Sequence, residues 1–234
     1  MNKEEIIQNI MQKLGGKTAN FQVLLEFQMP LLGLDHKTIK NLRGKTGLDI
    51  GCGKGFLVEE LRKKGILFEG IDPEAPQDKP YFICQQITSV HPFEGSIPRE
   101  DNFYDVVTAF QCNDLNRGFT LGGVVRTAIE AARNGGQDEW HTIRYKHAQS
   151  ALYEAIRVVK PEGRVIIYPC LVRLEETIGP LLRMQRISIS REFTNLITAE
   201  EYLKSELPDP SMISDIRDHC IKFGLLERTI LVKK

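Results

Sequence analysis

Apolar positions along this chain recur with two different periods, and the period switches repeatedly from helix-like to strand-like. Ile6, Ile7, Ile10, Met11 and Leu14 follow helical spacing between Glu4 and Leu14, and Gly15-Gly16 closes that run. A second helical stretch is expected from Phe21 to about Leu32, disturbed by Pro30, and a short third one from Lys37 to Leu42. All three precede the first strand-like run, so residues 1–43 are expected to form a helical N-terminal cap. Strands and helices then alternate. Apolar, β-branched runs predict strands at 46–50, 66–71, 81–85, 104–110 and 164–168. Helices are expected at 55–64, stopped by Gly65, and at 144–159, where Ala148, Ala151, Leu152, Ala155, Ile156 and Val159 share a face. Lys160-Pro161-Glu162-Gly163 reads as a turn. This alternation predicts an α/β fold with a doubly wound, mostly parallel sheet and helices on both faces. Ligands of such sheets bind beyond the carboxyl ends of the strands, where the strand order reverses.

The turn after the first strand carries the densest chemical signal. It reads Asp49-Ile50-Gly51-Cys52-Gly53-Lys54-Gly55-Phe56. Glycine adopts positive φ and lets a ligand approach the backbone. The first-turn amides of the following helix point toward whatever sits there, which suits a carboxylate or phosphate. A dinucleotide fingerprint needs a further glycine where Phe56 stands. The next strand closes on Asp72-Pro73. Proline ends the strand and turns the chain outward. Asp72 follows Gly51 by about 20 residues, the separation expected of an acid that binds ribose hydroxyls. A strand-end aspartate can also simply start a turn.

Asp-x-Gly-x-Gly-x-Gly followed by an acid at that distance resembles the first motifs of the class I S-adenosylmethionine (SAM) dependent methyltransferases. Asn102-Phe-Tyr-Asp-Val-Val107, Val159-Lys-Pro-Glu-Gly-Arg-Val-Ile-Ile167 and Gly224-Leu-Leu-Glu-Arg-Thr-Ile-Leu-Val232 are similar to later elements of that family. The resemblance implies its seven-stranded, Rossmann-like sheet with an antiparallel C-terminal strand. It also implies one domain over 1–234, with a SAM-binding core at 44–170 and a closing helix and strand at 211–234. Segments 116–143 and 171–210 follow strand ends, where the family keeps substrate-pocket additions. Gly51, Cys52, Gly53 and Gly55 would hold the methionine end of SAM, with Asp49 orienting the turn or reaching the amino group. Asp72 and Pro73 would meet the ribose. Gln86 stands where many members carry an acid; its amide accepts from the adenine amino group, with the Ile87 N–H donating to the ring, or it is a surface glutamine. Phe110 and Gln111 would flank the sulfonium, or Phe110 is a plain core residue.

Methyl transfer from SAM asks the protein mainly for in-line positioning. A base is needed only when the acceptor holds a proton at working pH. His141 and His147 are the base candidates because histidine titrates near neutrality, and Asp114 is a third. The Asn/Asp-Pro-Pro-Tyr/Phe motif of amide and exocyclic-amine methyltransferases is absent; Gln111-Cys-Asn-Asp-Leu115 replaces it. Two other activities suit the same fold: aminopropyl transfer, which requires paired acids for a polyamine, and SAM binding without turnover.

Composition narrows the partners. Lys+Arg and Asp+Glu both total 31 in 234 residues, so the net charge is zero, and no basic excess points to nucleic acid. A small-molecule acceptor is the expectation. No apolar run reaches the ~18 residues of a membrane helix. The start, Met-Asn-Lys-Glu-Glu, lacks an apolar signal region. The cysteines number five, are scattered, and form no Cys-x-x-Cys pair, so neither disulfides nor a metal site is expected. A cytoplasmic protein with reduced thiols fits these features.

Overall fold

The structure, a computed structural model, describes residues 28–72, 75–85, 97–110, 151–168, 174–194 and 227–234. A helical turn at 28–31 leads to helix α1 (His36–Leu42), whose N-cap Asp35 accepts the Thr38 amide at 2.7 Å. Then come β1 (Thr46–Ile50), α2 (Phe56–Lys63), β2 (Leu67–Ile71), β3 (Phe82–Ile83) and β4 (Tyr104–Phe110). A helix over 151–158, here α3, runs directly into β5 (Val159–Tyr168). Helix α4 (Leu174–Met184), β6 (Ile187–Phe193) and β7 (Glu227–Lys233) complete the described elements.

The strands form one sheet in the order β3-β2-β1-β4-β5-β7-β6. Pairs from β3 through β5 are parallel; β7 runs antiparallel to both β5 and β6. This is the mixed seven-stranded sheet that the resemblance implies. The chain winds outward from β1 through β2 to β3, then crosses to the other side of β1 with β4, so the order reverses between β1 and β4.

Alternation along each strand feeds two cores. Leu48, Ile50, Val107, Ala109, Val165 and Ile167 pack beneath α3 residues Ala151, Leu152, Ala155 and Ile156. On the opposite face Phe68, Val106, Phe110, Ile166, Tyr168 and Ile230 meet Leu57, Val58 and Leu61 of α2 and Leu31, Leu32 and Leu34 of the cap. Burial on both faces explains the near-continuous apolar run of β4.

Three details differ from the sequence pattern. The Lys160–Gly163 turn lies inside β5: the β4 partners jump from Val159 to Arg164, and Glu162 takes φ +62°. The intervening residues bulge while Lys160 reaches Asp105 at 3.0 Å, so the turn chemistry survives without ending the strand. Val159 accordingly belongs to β5 and not to the preceding helix. Within 171–210, Ile187–Phe193 is an edge strand, β6. Its Ile-Ser-Ile-Ser alternation is half-polar, as an edge allows, and so falls below the apolar density of the buried strands. The expected helix at 4–14 lies outside the described residues.

Candidate active site

The site is built at the carboxyl ends of β1, β2 and β4. Strand β1 ends at Ile50, and Gly51, Gly53 and Gly55 all take positive φ, at +74°, +51° and +77°. These left-handed residues fold the chain back so that the Gly51 N–H donates to the Ile71 carbonyl (2.9 Å) and the Gly55 N–H to the Cys52 carbonyl (2.8 Å). Gly55 is also the N-cap of α2 and brings no side chain of its own to cap it. A Cβ on Gly55 would overlap the Phe82 ring, so β3 packs directly on bare backbone. Among the described residues a Cβ on Gly53 would meet nothing within 4 Å. Phe56, which replaces the dinucleotide glycine, opens α2 with its ring exposed.

Two carboxylates bracket the turn. Asp72, at the tip of β2, accepts the Gly53 N–H through Oδ2 at 3.1 Å. It therefore ties the second strand to the glycine turn and stands where a ribose acceptor is expected. Asp49 is only 1% exposed, and the Thr108 hydroxyl of β4 donates to it at 2.7 Å. Burial pushes the Asp49 carboxyl up to about 7; the Thr108 bond opposes that rise and the Asp72 charge adds to it. The turn amides whose bonds are described go to Ile71, Cys52 and Asp72, so Asp49 supports the turn from beneath the backbone.

Cys52 is half-buried within the turn, its sulfur filling the space that a side chain at Gly70 would need. Lys54 is exposed. Phe110, at the end of β4, stacks on Tyr168, its register partner at the end of β5, with centroids 5.7 Å apart and planes 16° from parallel. Pro73, Gln86, Ile87, Gln111, Asp114, His141 and His147 lie outside the described residues.

Two neighbours of the site escape sequence reasoning. Thr108 places a small hydroxyl within the apolar run Val106–Phe110 of β4, and a buried hydroxyl needs a partner, so a signal existed. Tyr168 ends β5 as Phe110 ends β4, but their stacking depends on parallel register, which no single strand reveals.

These features describe a Rossmann-like sheet whose first turn is a glycine-lined cradle with an acid at the neighbouring strand tip. A family model described as "Methyltransferase domain" matches residues 29–168, more than half of the chain. The chain belongs to this methyltransferase-domain family, within the class I SAM-dependent methyltransferases. No curated protein matches it closely enough to compare. Among solved structures, the plantazolicin methyltransferase BpumL in complex with SAH aligns at 14% identity over 98% of this chain and 96% of that one, with a TM-score of 0.45. The same enzyme with a triazolic desmethylPZN analog and SAH gives 15% identity, coverage of 97% and 90%, and a TM-score of 0.47. The MccD protein aligns at 13% identity over 87% and 96%, with a TM-score of 0.37.

The residues present fit SAM as cofactor. Among the described residues nothing lies within 4 Å of a Cβ placed on Gly53, Gly55 gives α2 a side-chain-free N-cap, and a carboxylate stands at the β2 tip. Among the described residues no group of histidine, cysteine, aspartate or glutamate has the arrangement of a metal site. No helix among them is long and apolar enough to cross a membrane.

Proposed function

We propose that this methyltransferase transfers the methyl group of SAM to a small-molecule acceptor. The observation that carries the cofactor half is the Asp72–Gly53 bond, which joins the two motif elements into one cradle. Gly51, Cys52, Gly53 and Gly55 hold the methionine end through backbone amides and the start of α2. Asp72 and Pro73 meet the ribose, and Gln86 with Ile87 meets the adenine. When bound, SAM supplies a methyl group already activated by its sulfonium. The chain's task is then to align an acceptor beside that methyl and to exclude water. Phe110 and Gln111 stand at the β4 end for this. Phe110 is held there by its stack on the equally buried Tyr168 at the end of β5.

The acceptor pocket is drawn from 116–143 and from the parts of 171–210 outside α4 and β6. His141, His147 or Asp114 takes a proton when the acceptor holds one at working pH. Zero net charge favours a small acceptor over nucleic acid. Incubation of the protein with methyl-labelled SAM and fractionated metabolite pools tests this. Label should enter a low-molecular-mass fraction and depend on intact Asp72. Label entering only RNA, DNA or protein would overturn the small-molecule assignment.

A further inference from the structure

Strand β3 is two residues long, Phe82–Ile83, and among the described residues it pairs with β2 alone. A ladder this short leaves the strand's position to its side chains. That position matters for Asp72. Its N–H donates to the Ile83 carbonyl at 3.1 Å while its carboxylate accepts the Gly53 N–H. A shift of β3 therefore moves Asp72 against the glycine turn.

The side chains that fix β3 are gripped by α2. Tyr81, directly before the strand, donates its hydroxyl to Glu59 Oε1 at 2.8 Å, and the Lys79 ammonium binds the same oxygen. Arg62, one turn further along α2, holds its guanidinium 4.0 Å from the centre of the Tyr81 ring and donates to the Phe68 carbonyl of β2 at 2.8 Å. The Tyr81 carbonyl accepts the Gly70 N–H at 3.0 Å. The next ring, Phe82, lies on the bare backbone of Gly55 and Gly70. Glu59 is itself one turn from the cradle, and its N–H donates to the Gly55 carbonyl at 3.0 Å. A closed circuit results: Gly55 to Glu59 along the helix, Glu59 to Tyr81 by side chain, Tyr81 to Ile83 along the chain, Ile83 to Asp72 by backbone, and Asp72 back to Gly53. The Glu59–Tyr81 bond joins α2 to β3 in that circuit.

We propose that Tyr81, gripped by Glu59, is a positioning residue for the nucleoside half of the cofactor. The clasp sets the place of the Asp72 carboxylate relative to the glycine turn, and with it the seat of the ribose. The proposal rests on the cradle's binding SAM and on the ribose contact proposed above for Asp72. Its effect is selective: a loosened clasp weakens any ligand that carries the ribose, with or without an amino-acid tail.

Calorimetry of the full chain with S-adenosylhomocysteine, and competition against it by 5′-methylthioadenosine, test this without an acceptor. Measurements are made where circular dichroism shows each variant fully folded, so lost stability alone does not move Kd. Glu59→Ala and Tyr81→Phe should each raise both dissociation constants roughly fivefold or more, by a common factor. The double variant should be no worse than Glu59→Ala, because both changes break one link. Glu59→Gln keeps an oxygen that accepts the Tyr81 hydroxyl and should restore most of the affinity. Glu60→Ala, a neighbour on α2 that pairs with Lys63 and Lys64, should leave both constants unchanged. Tyr81→Phe removes one oxygen and no packing, so it decides the matter where Glu59→Ala does not fold. Native affinity in either folded variant would overturn the proposal. So would a loss confined to S-adenosylhomocysteine, an equal loss in Glu60→Ala, or methylthioadenosine that never competes with the native chain. Failure of S-adenosylhomocysteine to bind the native chain would remove the cradle reading, and the proposal with it.

Discussion

Asp72 combines an observed bond to the Gly53 amide with the ribose contact proposed above, and this sets what its loss should do. Its carboxylate holds the Gly53 amide and is proposed above to meet the ribose, so Asp72→Ala removes hydrogen bonds to a charged group and loosens the turn. S-adenosylhomocysteine affinity should fall by ~1–3 kcal/mol in calorimetry; unchanged affinity would take Asp72 out of the site. Asp49 predicts a different signature, in stability. Its carboxyl is raised in the folded protein, so the native state binds more protons than the unfolded chain between its ordinary value and about 7. Its burial therefore costs stability progressively as pH rises through that window, and the full cost is present above it. Asp49→Asn should stabilise the ligand-free protein at pH 8 by on the order of 2–4 kcal/mol, with the gain fading toward pH 4 in thermal melts. A gain that is the same at both pH values would refute the buried-acid account. At this scale the sequence was partly legible. Asp49, Asp72 and the glycines could be named because their chemistry needs fixed spacing along one chain segment. Thr108 and Tyr168 are joined to the site only by strand pairing between β1, β4 and β5, so spacing carries no trace of them.

Among the elements, the junction of the turn, α2 and β3 is the tightest. Gly55 ends the turn at φ +77°, caps α2, and lets the Phe82 ring lie on its backbone. Gly55→Ala forces both an unfavourable φ and an overlap with that ring, each costing about 1–3 kcal/mol. The expected outcome is a melting temperature lowered by several degrees together with weaker S-adenosylhomocysteine binding. A variant with native stability and affinity would show that this junction is slack. Elements whose two faces are both buried, such as β1 and β4, were readable as apolar runs, and the expected helix at Lys37–Leu42 is α1, which begins one residue earlier after its N-cap Asp35. The errors fell where local chemistry and pairing disagree. Lys160-Pro-Glu-Gly has turn composition, yet pairing on both sides keeps it within β5 as a bulge. Strand β6 pairs with one neighbour only and alternates polar with apolar residues, so its pattern is shared with surface loops.

Across the described molecule, the cap segment 30–34 and the start of β7 meet on one sheet corner. Arg228, at the start of β7, pairs with Glu192 of β6, donates to the Pro30 carbonyl at 3.4 Å, and lies where a Gly33 side chain would be. Leu31, Leu32 and Leu34 are buried beside it, in the core that also contains Phe110 and Tyr168. Arg228→Ala should cost about 1–2 kcal/mol and speed amide exchange at 31–34 more than in β1; equal exchange at both would show that burial alone anchors the cap. The parallel sheet wound on both faces was legible from alternation, whereas this corner was not, since it joins residues almost 200 positions apart. The central claim is that the glycine cradle and Asp72 bind a SAM-type nucleoside rather than a dinucleotide. Parallel calorimetric titrations of the full chain with S-adenosylhomocysteine and with NAD test it most directly. Saturable micromolar binding of S-adenosylhomocysteine with no comparable heat from NAD is the predicted result, and NAD binding with no response to S-adenosylhomocysteine would contradict it.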